Sequence, residues 1–252
     1  MRHIRREFLY FLVAIQVLTR VPVPRFRDFA DRWTERGVKY FPLTGALVGA
    51  ACGAIFLAAS HIWSGTLPAL ITIAAGIAIT GGLHEDGFAD FFDSMGGATR
   101  EARLSILKDS RIGAYGALAL GTGIGTKIFA LQGLPLPAGA AALVAAHSGG
   151  RLAAVAVISL LPYAGGISAA KIKPLGHGLK WTDLAIAGAF GLLPLALLPA
   201  AFGLPALAVA AIAAVFAALK ARRLLGGYTG DVLGAVEQIF EITFLLTAAA
   251  CV

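Results

Sequence analysis

The sequence predicts an all-α, polytopic membrane helix bundle of about seven transmembrane helices, preceded by a short N-terminal helix that lies in the interface or dips into it. Three observations lead there. Of the 252 residues, 58% are hydrophobic and only 14% charged, far from the roughly 25% charged content of a soluble domain, and the mean hydropathy is +0.80. Apolar runs recur, each near the roughly 20 residues that cross a hydrocarbon core about 30 Å thick as a helix. The connections between those runs alternate between uncharged and heavily charged.

The first apolar stretch, 8–18, has Arg2, Arg5 and Arg6 before it and Arg20, Arg25 and Arg27 after it. It is too short to span. A signal peptide would share the basic start, but Val21-Pro22-Val23-Pro24 offers no small-residue cleavage site, so an interfacial or re-entrant helix fits better. The expected spans then follow at 40–59, 67–83, 113–131, 138–160, 184–201, 204–219 and 232–250. Connections 61–66, 132–137 and 200–203 carry no Lys, Arg, Asp or Glu, whereas 20–39, 84–111, 171–183 and 220–231 hold almost all the charge. The positive-inside rule puts the charged set in the cytoplasm. Every chemical motif then lies on that side, the C-terminus is external, and a single integral membrane domain, 1–252, is the simplest division.

A formal charge of +7 belongs to the flanks of apolar spans rather than to a soluble surface, so lipid and phosphorylated substrates account for it and nucleic acid is excluded. Cys52 and Cys251 have neither disulfide nor zinc spacing.

The chemistry concentrates in Gly81-Gly82-Leu83-His84-Glu85-Asp86-Gly87-Phe88-Ala89-Asp90-Phe91-Phe92-Asp93. In a helix, Asp86, Asp90 and Asp93 fall at i, i+4 and i+7, on one face. Like charges so placed repel, and a hard divalent ion with oxygen ligands relieves them; Mg²⁺ with carboxylates and substrate phosphates is the usual arrangement. His84 can ligate metal, contact a phosphate or transfer a proton, or simply bond a neighbouring backbone group.

A second constellation runs from Arg100 to Gly116. Arg100, Glu101 and Arg103 read equally as a solvated helix surface. In Lys108-Asp109-Ser110-Arg111, the Arg111 fork and the Lys108 point charge can grip phosphate, or the basic residues can only anchor the next span. Third is Gly226-Gly227-Tyr228-Thr229-Gly230-Asp231, a glycine-rich turn opening the last span. Such a turn brings backbone N–H groups to an anion, and Asp231 either caps the helix or ligates metal. Within the spans, Lys127, Arg151, Glu237 and Glu241 are costly in hydrocarbon and face the interior; they form a salt-bridge network or a polar path. His147 shares the face of Arg151 and reads as a structural hydrogen-bonder.

Together, Gly81 to Asp90, Leu107-Lys108-Asp109-Ser110-Arg111-Ile112-Gly113-Ala114-Tyr115-Gly116 and Thr229-Gly230-Asp231-Val232-Leu233-Gly234-Ala235 resemble the cobalamin synthase family, adenosylcobinamide-GDP ribazoletransferases of the bacterial inner membrane. Leu18-Thr19-Arg20-Val21-Pro22-Val23-Pro24 and Tyr40-Phe41-Pro42-Leu43-Thr44-Gly45-Ala46 extend the likeness over almost the whole chain. The resemblance implies that ribazole, or its phosphate, attacks the phosphorus attached to cobinamide, displacing GMP with Mg²⁺ required. The residues alone point only to metal-assisted phosphoryl transfer. On the implied mechanism Asp86, Asp90, Asp93 and Asp231 hold metal. Lys108, Ser110, Arg111, Thr229, Gly230, Lys127 and Arg151 contact substrate, and His84, Glu85 or Asp109 serves as base, with His84 first on proton affinity. Partners expected are the two substrates, the lipid bilayer and other membrane-bound corrinoid enzymes, with a homo-oligomer left open. Two alternatives remain: a CDP-alcohol phosphotransferase, whose fuller motif is unmet after Asp86-Gly87, and a transporter using the ionisable residues inside the spans.

Overall fold

The computed structural model describes residues 2–24, 31–165 and 179–252. Arg25, Arg27 and residues 171–178 of the third charged connection lie outside them. Among the described residues the regular elements are all helices: α1 (Arg2–Leu18), α2 (Asp31–Gly37), α3 (Phe41–Ile62), α4 (Leu67–Thr80), α5 (Leu83–Ser94), α6 (Arg100–Ile106), α7 (Ala114–Gly133), α8 (Leu136–Leu160), α9 (Trp181–Leu192), α10 (Ala200–Leu225) and α11 (Gly230–Ala250). The chain is a multi-pass membrane protein by the length and apolarity of these helices.

Among the described residues, five segments are long and apolar enough to cross: Thr34–Ile62, Ala114–Gly133, Leu136–Leu160, Ala200–Leu225 and Gly230–Ala250. The pair α4 and α5, bent by 91°, supplies a sixth if it is counted as one broken span. The expected count of seven is therefore not reproduced. The span expected over 184–201 is a 12-residue helix continued by a 3-10 turn, Leu193–Leu197. Pro194 and Pro199 lack the N–H that a continuous helix needs there. The span expected over 67–83 ends as α4 at Thr80, because Gly81 and Gly82 both take the left-handed conformation, φ +72° and +71°. A side chain is strained at such angles. The pair redirects the backbone, and Gly82 N–H donates to Ile77 O at 2.9 Å.

The centre of the bundle is α3 packed on α8, with α11 laid across α5, α8 and α10. Close contact follows from glycines: a Cβ at Gly45 or Gly49 would strike the α8 backbone at His147 and Leu143, the small-residue packing that brings membrane helices together. At one end, Ala164 N–H donates to Tyr228 O at 2.8 Å and Tyr228 N–H to Pro162 O at 2.9 Å. That clip puts the ends of α8 and α10 beside the start of α11. Arg100 fastens it, donating through Nε to Leu225 O (2.6 Å) and Nη2 to Ala164 O (3.3 Å). Arg100 lies on the exposed surface as expected and also acts as a staple across three segments.

The N-terminal helix is half embedded: Val13, Ala14 and Leu18 are buried, and Ile4 and Phe8 are exposed. Its Glu7 accepts from Tyr40 Oη at 2.8 Å and meets Lys39 Nζ at 2.7 Å, and Lys39 also reaches Asp183 of α9 at 3.3 Å.

Candidate active site

The acidic helix α5 is pressed onto the first turns of α11 by two glycines. A Cβ at Gly87 would lie 2.9 Å from Asp231 Cα and O, and one at Gly234 would lie 3.1 Å from His84 O. Only hydrogen at both positions lets the backbones approach so closely. The crossing brings Asp231 beside Asp86 and Asp90. Asp86 is exposed and Asp90 half-buried. The Asp90 carboxyl is pushed up from 3.8 to about 6, first by burial and then by the charges of Asp86, Asp231 and Asp93. Three acids of two helices therefore share one patch, in which the neighbouring charges bear on Asp90.

Thr229 caps α11, its Oγ1 accepting from Val232 N–H at 3.3 Å and donating to Asp231 Oδ2 at 3.2 Å. Capping thus falls to Thr229. Asp231 is left in the first turn facing α5, and Gly230 is exposed beside it.

Asp93 is turned elsewhere. Its Oδ2 accepts from Gly113 N–H at 2.7 Å and its Oδ1 from Gly116 N–H at 2.8 Å, so it is the anion bound at the N-terminus of α7. The carboxylate occupies the space a side chain would need at either glycine. The expected i, i+4, i+7 face survives as geometry, but two of its three carboxylates meet Asp231 while the third docks α7.

In the connection between α6 and α7, Arg111 grips Asp109 with Nε to Oδ1 at 3.0 Å and Nη2 to Oδ2 at 2.6 Å. That clamp holds the Asp109 carboxyl down at about 2. A carboxylate so weakly basic is a poor proton acceptor near neutral pH. Lys108 and Ser110 are exposed on the same connection.

Behind α5, inside the bundle, lies an ion network that joins four helices. Glu241 meets Lys127 Nζ at 2.7 Å, His147 Nδ1 at 2.6 Å and Arg151 Nη1 at 3.2 Å. Glu237 meets Arg151 Nη1 at 2.8 Å and His84 Nε2 at 3.1 Å, and Lys127 donates to Gln238 Oε1 at 3.1 Å. All are buried. Lys127 and Arg151 thus take the salt-bridge reading. The Glu237 approaches lack hydrogen-bond alignment, and His84 Nε2, Glu85 Oε2 and Arg151 Nη2 have no hydrogen-bond partner among the described residues. These groups, Glu237 excepted, face a cavity of about 10 Å³. His84 and Glu85 therefore point into the bundle, on the side of α5 away from the acidic patch.

Among the described residues no three His, Cys, Asp or Glu side chains converge tightly enough to enclose an ion. The donor set nonetheless suits Mg²⁺, which keeps several waters and binds through one or two carboxylates plus substrate phosphates. Asp86, Asp90 and Asp231 offer oxygen alone, and the charges that act most on Asp90 among the described residues are all carboxylates. Sequence reasoning missed Gly87 and Gly234 as the residues that assemble this patch. Their signal was present: a glycine inside an otherwise helical pattern marks close packing.

A family model described as cobalamin-5-phosphate synthase matches residues 10–249. The adenosylcobinamide-GDP ribazoletransferase of Leptothrix cholodnii is 40% identical over 253 residues, covering 95% of this chain and 94% of that protein. The protein of the same name from Shewanella amazonensis is 36% identical over 247 residues, covering 96% and 95%. No solved structure matches the chain.

Proposed function

Because the chain belongs to the cobalamin-5-phosphate synthase family, we propose that this transferase moves the cobinamide-phosphate moiety of adenosylcobinamide-GDP to α-ribazole or its 5′-phosphate, releasing GMP. The observation that carries the reading is the convergence of Asp86, Asp90 and Asp231 at one end of the bundle.

Asp86 and Asp90, with Asp231 across the helix crossing, would hold Mg²⁺. The ion would neutralise charge that develops on the diphosphate as the bond to GMP breaks. Lys108 and Arg111 on the neighbouring connection would steady phosphate oxygens, Arg111 exchanging its clamp on Asp109 for the substrate. In the step itself the ribazole hydroxyl oxygen forms a bond to the phosphorus attached to cobinamide, the bond from that phosphorus to the GMP oxygen breaks, and the hydroxyl proton leaves to a base. Of the three candidate bases, the Arg111 clamp disfavours Asp109, while His84 and Glu85 line the small buried cavity on the far side of α5, so a base among them would have to act through the polar interior rather than by direct contact at the patch. The acidic end would face the cytoplasm of the bacterial inner membrane, where nucleotide-activated substrates are found, with all 252 residues in one membrane domain.

The test supplies detergent-solubilised protein with adenosylcobinamide-GDP, ribazole phosphate and Mg²⁺. GMP release that requires both substrates supports the reading. Absence of release with folded protein removes it.

A further inference from the structure

Between α8 and α10, bounded at its inner end by α11, the bundle leaves a cavity of about 580 Å³, distinct from the acidic patch and the ion network. Its walls follow helical periodicity. On α8 they run from Gly149 to Leu160, and on α10 from Leu207 through Ala211, Val215 and Leu219. At 1.5 Å per residue these walls are about 17 and 18 Å long, close to the roughly 15 Å of one leaflet's hydrocarbon. Leu160, Val215 and Leu219 are largely exposed, so the cavity opens sideways to the bilayer.

Among the described residues the lining holds a single charged group, Arg222. It stands three residues beyond Leu219, on the same stripe of α10, in that helix's last turn. A long apolar slot with one cation at the membrane-surface end has the distribution of a phospholipid, alkyl below and phosphate above. A corrinoid, with polar amides around its ring, would leave those amides unpaired against leucine and alanine.

We infer that this cavity is a binding site for one acyl chain of an anionic phospholipid, with Arg222 on its phosphate. The bound lipid would be an integral wall of the bundle where α8 and α10 touch only sparsely. Helices α8 and α11, which carry the ion network, line its inner face at Gly149 and Phe240.

The experiment reconstitutes the full chain in vesicles of phosphatidylethanolamine and phosphatidylglycerol that contain a phosphatidylglycerol probe with a photoreactive diazirine in one acyl chain. Irradiation and peptide mapping should place labels on the slot-facing residues of α8 and α10 about tenfold above the outward surface of α7 at Leu118 and Phe129. Ala211→Phe, which fills the slot, should remove that excess while the thermal midpoint is kept. Arg222→Gln should leave an apolar slot but erase a preference of about fivefold for the phosphatidylglycerol probe over a phosphatidylethanolamine probe. Equal labelling of α7, indifference to Ala211→Phe in folded protein, or equal headgroup preference in wild type and Arg222→Gln would each overturn the inference. Displacement of the probe by adenosylcobinamide-GDP would overturn it in favour of substrate. If Ala211→Phe does not fold, the wild-type label map and the Arg222→Gln comparison decide alone.

Discussion

At the scale of single residues, Asp90 carries the conflict between folding and chemistry most visibly. Its carboxyl sits at about 6 rather than 3.8, so the fold favours its protonated form. Stability is then lost as pH rises from the ordinary value through 6, and is recovered as pH falls. Asp90→Asn should therefore raise the thermal midpoint at pH 7.5, with the gain vanishing near pH 4, and should lower turnover by at least roughly 100-fold; a lower midpoint at pH 7.5 would contradict the repulsion. Asp86→Asn should match the loss of turnover with the fold intact, because an amide lacks the charge that holds a hard cation. The acidic residues themselves were legible, since four carboxylates in ten residues of an apolar chain need a reason. The split between Asp93 and the other two was not. It depends on where the N-terminus of α7 docks, twenty residues downstream at Gly113, and spacing along one helix says nothing of that.

At the scale of elements, the crossing of α5 over α11 decides whether there is a site at all. Gly87→Ala would put a methyl group 2.9 Å from the Asp231 backbone, a contact that must push the helices apart. The expected result is retained helical circular dichroism with most GMP release lost, and full activity in that variant would show that the close approach is dispensable. The ion network behind the crossing fixes α7, α8 and α11 to one another. Glu241→Ala removes the carboxylate that Lys127, His147 and Arg151 share in the bundle, and should cost about 3–5 kcal/mol; the unfolding midpoint in denaturant measures it. Glu237, Glu241, Lys127 and Arg151 could be picked out from sequence because charge in an apolar run must be paired, and the alternative of pairing across the bundle is what the structure contains. The α4 to α5 bend was hidden, although Gly81-Gly82 marked it. An apolar run continued to Leu83, and hydropathy does not report a left-handed pair.

For the whole molecule, apolar length and alternating charge gave most of the architecture: α3, α7, α8, α10 and α11 fall where runs of suitable length stood. The expected crossing that the structure does not confirm is the stretch of α9 and its 3-10 turn, apolar in composition but short and interrupted by proline. The proposed sidedness rests on the charged connections. A single cysteine placed at exposed Lys108 in a Cys52→Ala, Cys251→Ala background should react with a membrane-impermeant maleimide only in inverted vesicles, and reaction in right-side-out vesicles would place the acidic end outside. The central claim, that the acidic patch exists to hold a divalent ion at the breaking diphosphate, is tested most directly by metal rescue of Asp86→Cys. A thiolate favours soft ions over Mg²⁺, so GMP release should be lost with Mg²⁺ and restored by Cd²⁺, with Asp86→Asn restored by neither. Wild-type release from Asp86→Cys or Asp86→Asn in Mg²⁺ would contradict it.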